Sequence, residues 1–133
     1  MDIKIQLMGT PKCWESGRPI NIPYKKAEAL LYYLLVEKKA SRDELAGLFW
    51  GEFPEDKALK NLRNSIYILK KALVYKFIEN AQSVVIMDPV FLDSCDIDIY
   101  KKSGVKYAGD FLQGFFLKGD SEYFEKWVAA QRR

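Results

Sequence analysis

The chain has 133 residues, of which 49% are hydrophobic and 29% charged, enough to bury the core of one compact domain or one and a half. This composition argues against intrinsic disorder, and no apolar run approaches the 18 residues of a membrane span. The absence of histidine excludes Ser-His-Asp and Cys-His catalysis and histidine-containing zinc sites. We therefore expect a cytoplasmic, soluble protein in which Cys13 and Cys95 are reduced thiols.

The net charge of +3 hides a change of sign along the sequence. Residues 1–76 carry 14 basic and 9 acidic side chains, whereas residues 77–125 carry 4 basic and 9 acidic ones. The run from residue 57 to residue 76 contains no carboxylate. Its six basic residues are Lys57, Lys60, Arg63, Lys70, Lys71 and Lys76. Such a local excess of positive charge is the first indication of a nucleic-acid partner.

The N-terminal residues have the two-residue period of half-buried strands. Apolar and polar side chains alternate over Ile3–Leu7 and again over Ile20–Ile22, on either side of Cys13 and Trp14. The segment Glu15–Arg18 contains glycine and serine and is predicted to be a turn. We therefore predict a small antiparallel sheet.

After Pro23 the apolar residues adopt helical spacing, which predicts a first helix over Lys25–Glu37. Ser41 and Glu44 have the spacing of a capping box at the start of a short second helix. Gly51 is placed to end that helix.

The third predicted helix follows Pro54 and covers residues 56–73. Proline is tolerated in a first helical turn, and the acidic Glu55 and Asp56 favour the positive end of the helix dipole. Five apolar residues alternate at spacings of three and four: Leu59, Leu62, Ile66, Leu69 and Leu73. This pattern predicts a long amphipathic helix with one buried face.

Residues 75–87 are predicted to form a hairpin, with strands at 75–78 and 83–87 around a polar turn at Glu79–Gln82. A small sheet, three helices and a hairpin make up an α+β winged helix, a helix-turn-helix with an added β-ribbon. An acidic connection follows over residues 88–104. The aromatic residues of segment 107–133 are too dense for a solvated tail. We expect either the opening of a further module or a short helical appendage packed on the winged helix.

The outward face of the third helix carries the candidate binding chemistry. At about 100° per residue, Lys57, Lys60, Asn64 and Lys71 lie opposite the apolar set, with Asn61 and Tyr67 beside them. Lysine and arginine neutralise phosphates, and asparagine can pair with the adenine edge in the major groove. Asn64 and Asn61 are therefore candidate base readers. The alternative is a lysine-rich helix face that is simply exposed to solvent. Ile68 is also predicted on the outer side, and an apolar residue there argues mildly against DNA binding unless it contacts a thymine methyl group or a second protein surface.

Several stretches resemble the DNA-binding domain of the SARP (antibiotic regulatory protein) family of transcription regulators, an OmpR-type winged helix. The resemblance lies in Leu48–Gly51, Pro54–Ala58 and Asn61–Leu73, with further matches in Ile5–Pro11 and Lys26–Leu34. Tyr107–Leu112 and Phe124–Trp127 resemble the start of the bacterial transcriptional activation domain that normally follows. The resemblance implies a winged-helix domain over residues 1–100 and the beginning of a helical activation domain over residues 101–133.

The resemblance also implies the contacts with double-stranded DNA. The third helix would present Lys57, Lys60, Asn61, Arg63, Asn64, Tyr67 and Lys71 to the major groove or its flanking phosphates, and the hairpin would present Asn80 and Gln82 to the minor groove. The hairpin departs from the family pattern, because Gln82 and Ser83 replace a glycine and an aromatic residue. RNA polymerase, contacted through the loop Gly51–Phe53, and a homodimer on DNA are further partners that the family suggests.

Catalysis is not expected from this sequence. It lacks phosphate-cradling, nucleophile-elbow and Cys-x-x-Cys motifs, and Asp93, Asp96 and Asp98 lack EF-hand spacing. We expect no cofactor, no metal, no membrane and no small-molecule substrate. The predicted function is sequence-specific DNA binding by a bacterial transcription regulator. The alternative is a winged helix that serves protein interaction or dimerisation through Tyr67, Ile68 and the C-terminal aromatic residues.

Overall fold

The computed structural model describes residues 3–73, 78–81, 84–87, 95–97, 109–117 and 121–132. The strands in these ranges are β1 (Ile3–Gln6), β2 (Lys12–Glu15), β3 (Arg18–Pro19), β4 (Lys39–Ser41), β5 (Ile78–Ala81) and β6 (Val84–Met87). The helices are α1 (Lys25–Glu37), α2 (Arg42–Trp50), α3 (Glu55–Ala72) and α4 (Glu122–Gln131). No described helix is long and apolar enough to cross a bilayer.

The first three strands form the predicted N-terminal sheet in the antiparallel order β1-β2-β3. The turn between β2 and β3 uses left-handed backbone at Ser16 and Gly17, with φ of 50° and 80°. The prediction of a strand over Ile20–Ile22 is wrong, because β3 ends at Pro19. The Ile20 amide still donates one hydrogen bond to the Cys13 carbonyl at 2.9 Å, and both isoleucines pack against the core.

Helices α1 and α2 confirm the sequence prediction in position and capping. Ser41 accepts a hydrogen bond from the Glu44 amide at 3.0 Å, and the Glu44 carboxylate accepts one from the Ser41 amide. Gly51 does end α2, but in right-handed backbone with φ of −62° and not in the left-handed form. A Cβ at Gly51 would lie 2.6 Å from the Gly47 carbonyl oxygen, so close approach explains the glycine.

Helix α3 buries nearly the same face that the apolar spacing predicts, but the buried face is turned slightly about the helix axis. Leu62, Ile66 and Leu69 are buried, whereas Leu59 is only partly buried and Ala58 takes its place in the core. Ile68 is also partly buried and packs against the core. The prediction that Ile68 lies on the outer side of the helix is therefore wrong. The buried part of the helix surface is wider than the five apolar residues of the sequence pattern indicate.

The second sheet has the order β4-β6-β5, in which the unpredicted strand β4 pairs with the hairpin. The hairpin confirms the wing, but the four-residue turn at Glu79–Gln82 is wrong. Ala81 pairs with Val84, so only residues 82 and 83 connect the strands, and Asn80 lies within β5 opposite Val85. Two-residue loops suit the twist of paired strands better than the polar tetrapeptide suggested. Predicted strand residues 75–77 lie outside the described ranges.

The C-terminal segments pack against the winged helix, as expected of a helical appendage. Phe111, Phe115 and Phe124 are buried in the same core cluster as α1 and α2, and the rings of Phe49 and Phe124 lie 5.4 Å apart. Residue 109 must be glycine here, because a Cβ would lie 2.6 Å from the Gly9 Cα. The described elements together form an α+β winged helix with one further helix on its flank.

Asp96 fastens the acidic connection to the end of β1. Its carboxylate oxygens accept hydrogen bonds from the amides of Leu7 at 2.8 Å and Met8 at 3.2 Å. Burial raises the pKa of this carboxyl, and the two backbone hydrogen bonds oppose that shift. The described residues contain no cluster of acidic or sulfur side chains that could hold a metal ion. Asp93 and Asp98 lie outside them.

Candidate nucleic-acid interface

Helix α3 begins and ends as its sequence dictates. Pro54 precedes the first turn, where Glu55 and Asp56 face the positive end of the dipole, and Lys70 and Lys71 lie in the last turn. The amide of Leu73 still donates to the Leu69 carbonyl at 2.9 Å. The helix is therefore well formed over its 18 residues, so its side chains are presented on a rigid rod.

Beyond the acidic first turn of Glu55 and Asp56, every charged residue on the exposed side of α3 is basic. Seven residues on this side lie opposite the buried arc and are exposed to solvent: Lys57, Lys60, Arg63, Asn64, Tyr67, Lys70 and Lys71. Tyr67 is 59% exposed, and the Lys71 ammonium lies 5.4 Å from the centre of its ring. We call these seven residues the α3 outer face.

No salt bridge within the described residues neutralises the α3 outer face. The described salt bridges join Lys26 to Glu52 and Lys126 to Glu122, both away from this face. Free ammonium and guanidinium groups on one helix face can each approach a phosphate oxygen. The arrangement therefore suits a polyanion better than a solvated surface laced with ion pairs.

The remaining three predicted DNA contacts are placed differently. Asn61 is partly buried on the shoulder of α3 and lines a cleft beside the helix. Asn80 lies in strand β5, and Gln82 lies outside the described residues. The structure thus groups Lys57, Lys60, Arg63, Asn64, Tyr67 and Lys71 on one face and sets Asn61 apart. Lys70 joins that face, although the sequence reasoning did not include it among the contacts.

The cleft beside Asn61 is not predicted from the sequence. It is lined by residues from the start of α1, the end of α2, the loop that follows, α3 and the C-terminal segment. The one available signal was the pair Lys25 and Lys26 in the first turn of α1, where positive charge opposes the helix dipole. Periodicity cannot bring five separated segments to one place, so only the tertiary structure reveals this cleft.

A second group of ionisable side chains lies in β2 and α1. Burial, and then the nearby Glu28 carboxylate, raise the pKa of the Cys13 thiol to about 12. The Tyr32 hydroxyl donates a hydrogen bond to Glu28, and burial raises its pKa as well. A thiol so protonated is a poor nucleophile and metal ligand, so Cys13 is a core residue.

Comparison of the chain with protein-family profiles and with curated proteins gives no match. Comparison with solved structures finds Mycobacterium tuberculosis EmbR, in complex with a low-affinity phosphopeptide, at a TM-score of 0.68 and 18% sequence identity. The alignment covers 96% of this chain and 41% of the EmbR chain. What the two share is the fold. The chain has a winged-helix fold like that of EmbR and spans about two fifths of the EmbR chain.

Proposed function

We propose that this chain is the DNA-binding part of a bacterial transcription regulator and recognises a specific duplex sequence. The observation that carries the proposal is the α3 outer face on the third helix of a winged helix. Its five exposed cations form no salt bridge within the described residues. In a helix-turn-helix protein this helix enters the major groove. The fold shared with EmbR supports the same assignment at the level of architecture.

Each part of the face has a separate task in the proposal. Lys57, Lys60 and Lys71 neutralise phosphates, which supplies affinity without regard to sequence. Asn64 reads an adenine edge, since it is the exposed asparagine at the centre of the face. The β5–β6 hairpin approaches the adjacent minor groove through Asn80 and Gln82.

The proposal extends to the rest of the regulator. We propose residues 1–100 as the winged-helix domain and residues 101–133 as the beginning of a helical activation domain. RNA polymerase is the proposed partner of the loop Gly51–Phe53, and a homodimer on DNA is the proposed bound form. The chain acts by binding and not by catalysis.

Selection of duplexes from a random pool, followed by titration over a range of salt concentrations, tests this function. We expect a recovered site and a log–log salt dependence with a slope of about −0.9 for each phosphate neutralised. Replacing Lys57, Lys60 and Lys71 together by alanine should flatten that slope by up to about 2.7 and weaken binding to all sequences alike.

The matched control is Lys126→Ala, which removes an exposed lysine of α4 that pairs with Glu122 at 3.1 Å. This variant should bind DNA like the original chain. Salt-independent binding, or unchanged binding by the triple variant, would contradict the proposal.

The alternative of a protein-interaction module is supported by the 59% exposure of Tyr67 and by two exposed C-terminal aromatic residues, Phe116 and Tyr123. Ile68 no longer supports it, since this side chain packs against the core. The alternative predicts that duplex DNA is not retarded in a gel even at low salt, which separates the two functions directly.

A further inference from the structure

The cleft beside α3 combines aromatic walls with positive charge. It has a volume of about 500 Å³, within the range of small-molecule sites. Tyr24 and Phe116 lie on its rim with 40% and 50% exposure, and Trp50 and Phe53 complete its apolar lining. Among the described residues only four large hydrophobic side chains are exposed, and two of them meet here. Large exposed apolar groups concentrated in one concave place indicate a binding site.

Lys26 supplies the polar anchor of this cleft. Its side chain is 9% exposed, and its ammonium donates a single described hydrogen bond, to the Phe49 carbonyl oxygen at 2.8 Å. The Glu52 carboxylate lies 3.7 Å away and is itself 57% exposed. An ammonium group has three donors, and a buried charge is costly when it is incompletely paired. The ammonium also lies 5.5 Å and 6.0 Å from the ring centres of Trp50 and Phe53, which line the cleft. With one hydrogen bond and one ion pair, Lys26 can donate a further hydrogen bond to an anion in the cleft.

The start of α1 strengthens the preference for an anion. Tyr24, its N-cap residue, makes no side-chain capping hydrogen bond. The positive end of the α1 helix dipole thus lies at the cleft, and Lys25 and Lys26 of the same helix line the cleft. Lys57 approaches from α3, with its ammonium 5.1 Å from the centre of the Phe53 ring. Glu52 is the one carboxylate among the described residues that line the cleft.

We propose that this cleft binds a small aromatic carboxylate. The carboxylate would pair with Lys26 at the α1 N-terminus, and the aromatic ring would lie between Phe116 and Phe53, where edge or offset contacts are favourable. The side-chain amide of Asn61 has no hydrogen-bond partner within the described residues and can serve as an additional polar contact. The site does not depend on the proposed DNA-binding function, since its anchor lies outside the α3 outer face.

Phenylacetate is the probe for this site, with acetate and 2-phenylethylamine as matched controls. Backbone amide NMR spectra of the whole chain should show saturable shifts at residues 24–26, 53, 61 and 116 with phenylacetate. Acetate should bind more weakly because it lacks the ring, and the amine should not bind because its charge is reversed.

Variants locate the interaction. Lys26→Met should weaken phenylacetate binding about tenfold or more, and Phe116→Ala by about two- to tenfold. Tyr123→Ala removes an aromatic side chain that is 62% exposed but does not line the cleft, and should leave binding unchanged. If Lys26→Met fails to fold, the exposed Phe116 carries the test.

Three results would overturn the proposal. They are the absence of saturable shifts with phenylacetate, equal binding of the amine, and shifts confined to the α3 outer face that persist in Phe116→Ala. Binding of an acidic aromatic peptide without any binding of phenylacetate would likewise reject a small-molecule site and assign the cleft to a protein partner.

Discussion

The hydroxyl of Ser121 donates a hydrogen bond to the carbonyl oxygen of Leu48 at 2.7 Å, across 73 residues of chain. The Ser121 hydroxyl oxygen also accepts a hydrogen bond from the Phe124 amide at 3.2 Å and so caps α4. One buried side chain therefore both starts the last helix and attaches it to α2. This hydrogen bond attaches the start of α4 to the end of α2 in the winged helix.

Replacing Ser121 by alanine should lower the free energy of unfolding by about 1–3 kcal/mol, because the Leu48 carbonyl and the Phe124 amide both lose a partner. The measurement is urea unfolding followed by circular dichroism. Ser41→Ala is the control, since Ser41 caps α2 in an exposed box and should cost only about 1 kcal/mol. A smaller loss for Ser121 than for Ser41 would show that the link to α2 adds nothing.

Phe124 and Tyr123 are neighbours on α4 with opposite environments. Phe124 is fully buried against Phe49, whereas Tyr123 is 62% exposed. Phe124→Ala should destabilise the chain by about 3–5 kcal/mol through the cavity that it leaves. Tyr123→Ala should stay within about 0.5 kcal/mol of the original chain. Equal effects in urea unfolding would mean that α4 does not share the core in solution.

The two asparagines of α3 should differ in their effect on DNA recognition. Asn64→Ala should cost about 1–3 kcal/mol of discrimination at one base pair, because Asn64 lies exposed at the centre of the α3 outer face. Asn61→Ala should preserve that preference, since Asn61 is partly buried at the cleft. Competition binding with single-base variants of the recovered site measures both. The reverse pattern would place the base-reading edge on the cleft side of the helix.

Asp96 should make stability fall as the pH rises. Burial holds its pKa above the usual value, so between the unfolded and the folded pKa the folded chain binds more protons than the unfolded one. The contribution of Asp96 is complete below the unfolded pKa and declines as the pH passes the folded pKa. The comparison is the free energy of unfolding of the original chain and of Asp96→Asn from about pH 3 to pH 7.

We expect the free energy of unfolding of the original chain, minus that of Asp96→Asn, to decrease as the pH increases. Growth of that difference would instead show that the hydrogen bonds from Leu7 and Met8 to the carboxylate outweigh its burial.

The local elements of this protein follow from short-range patterns in its sequence. The bounds of α1, the capping box of Ser41 and Glu44 and the two-faced character of α3 follow from spacing and capping, which act between residues three or four positions apart. The grouping of Lys60, Asn64 and Lys71 on one side of α3 required nothing more than helical geometry.

Strand pairing and side-chain burial depend on contacts between residues far apart in the sequence, and only the tertiary structure shows them. Strand β4 exists because β6 supplies its hydrogen bonds, and Ile68 turns inward because the core extends around α3. Charge alone showed an excess of lysine in the first part of the chain. Only packing separated those charges into the open α3 outer face and the buried Lys26, because burial is set by segments that the sequence does not place side by side.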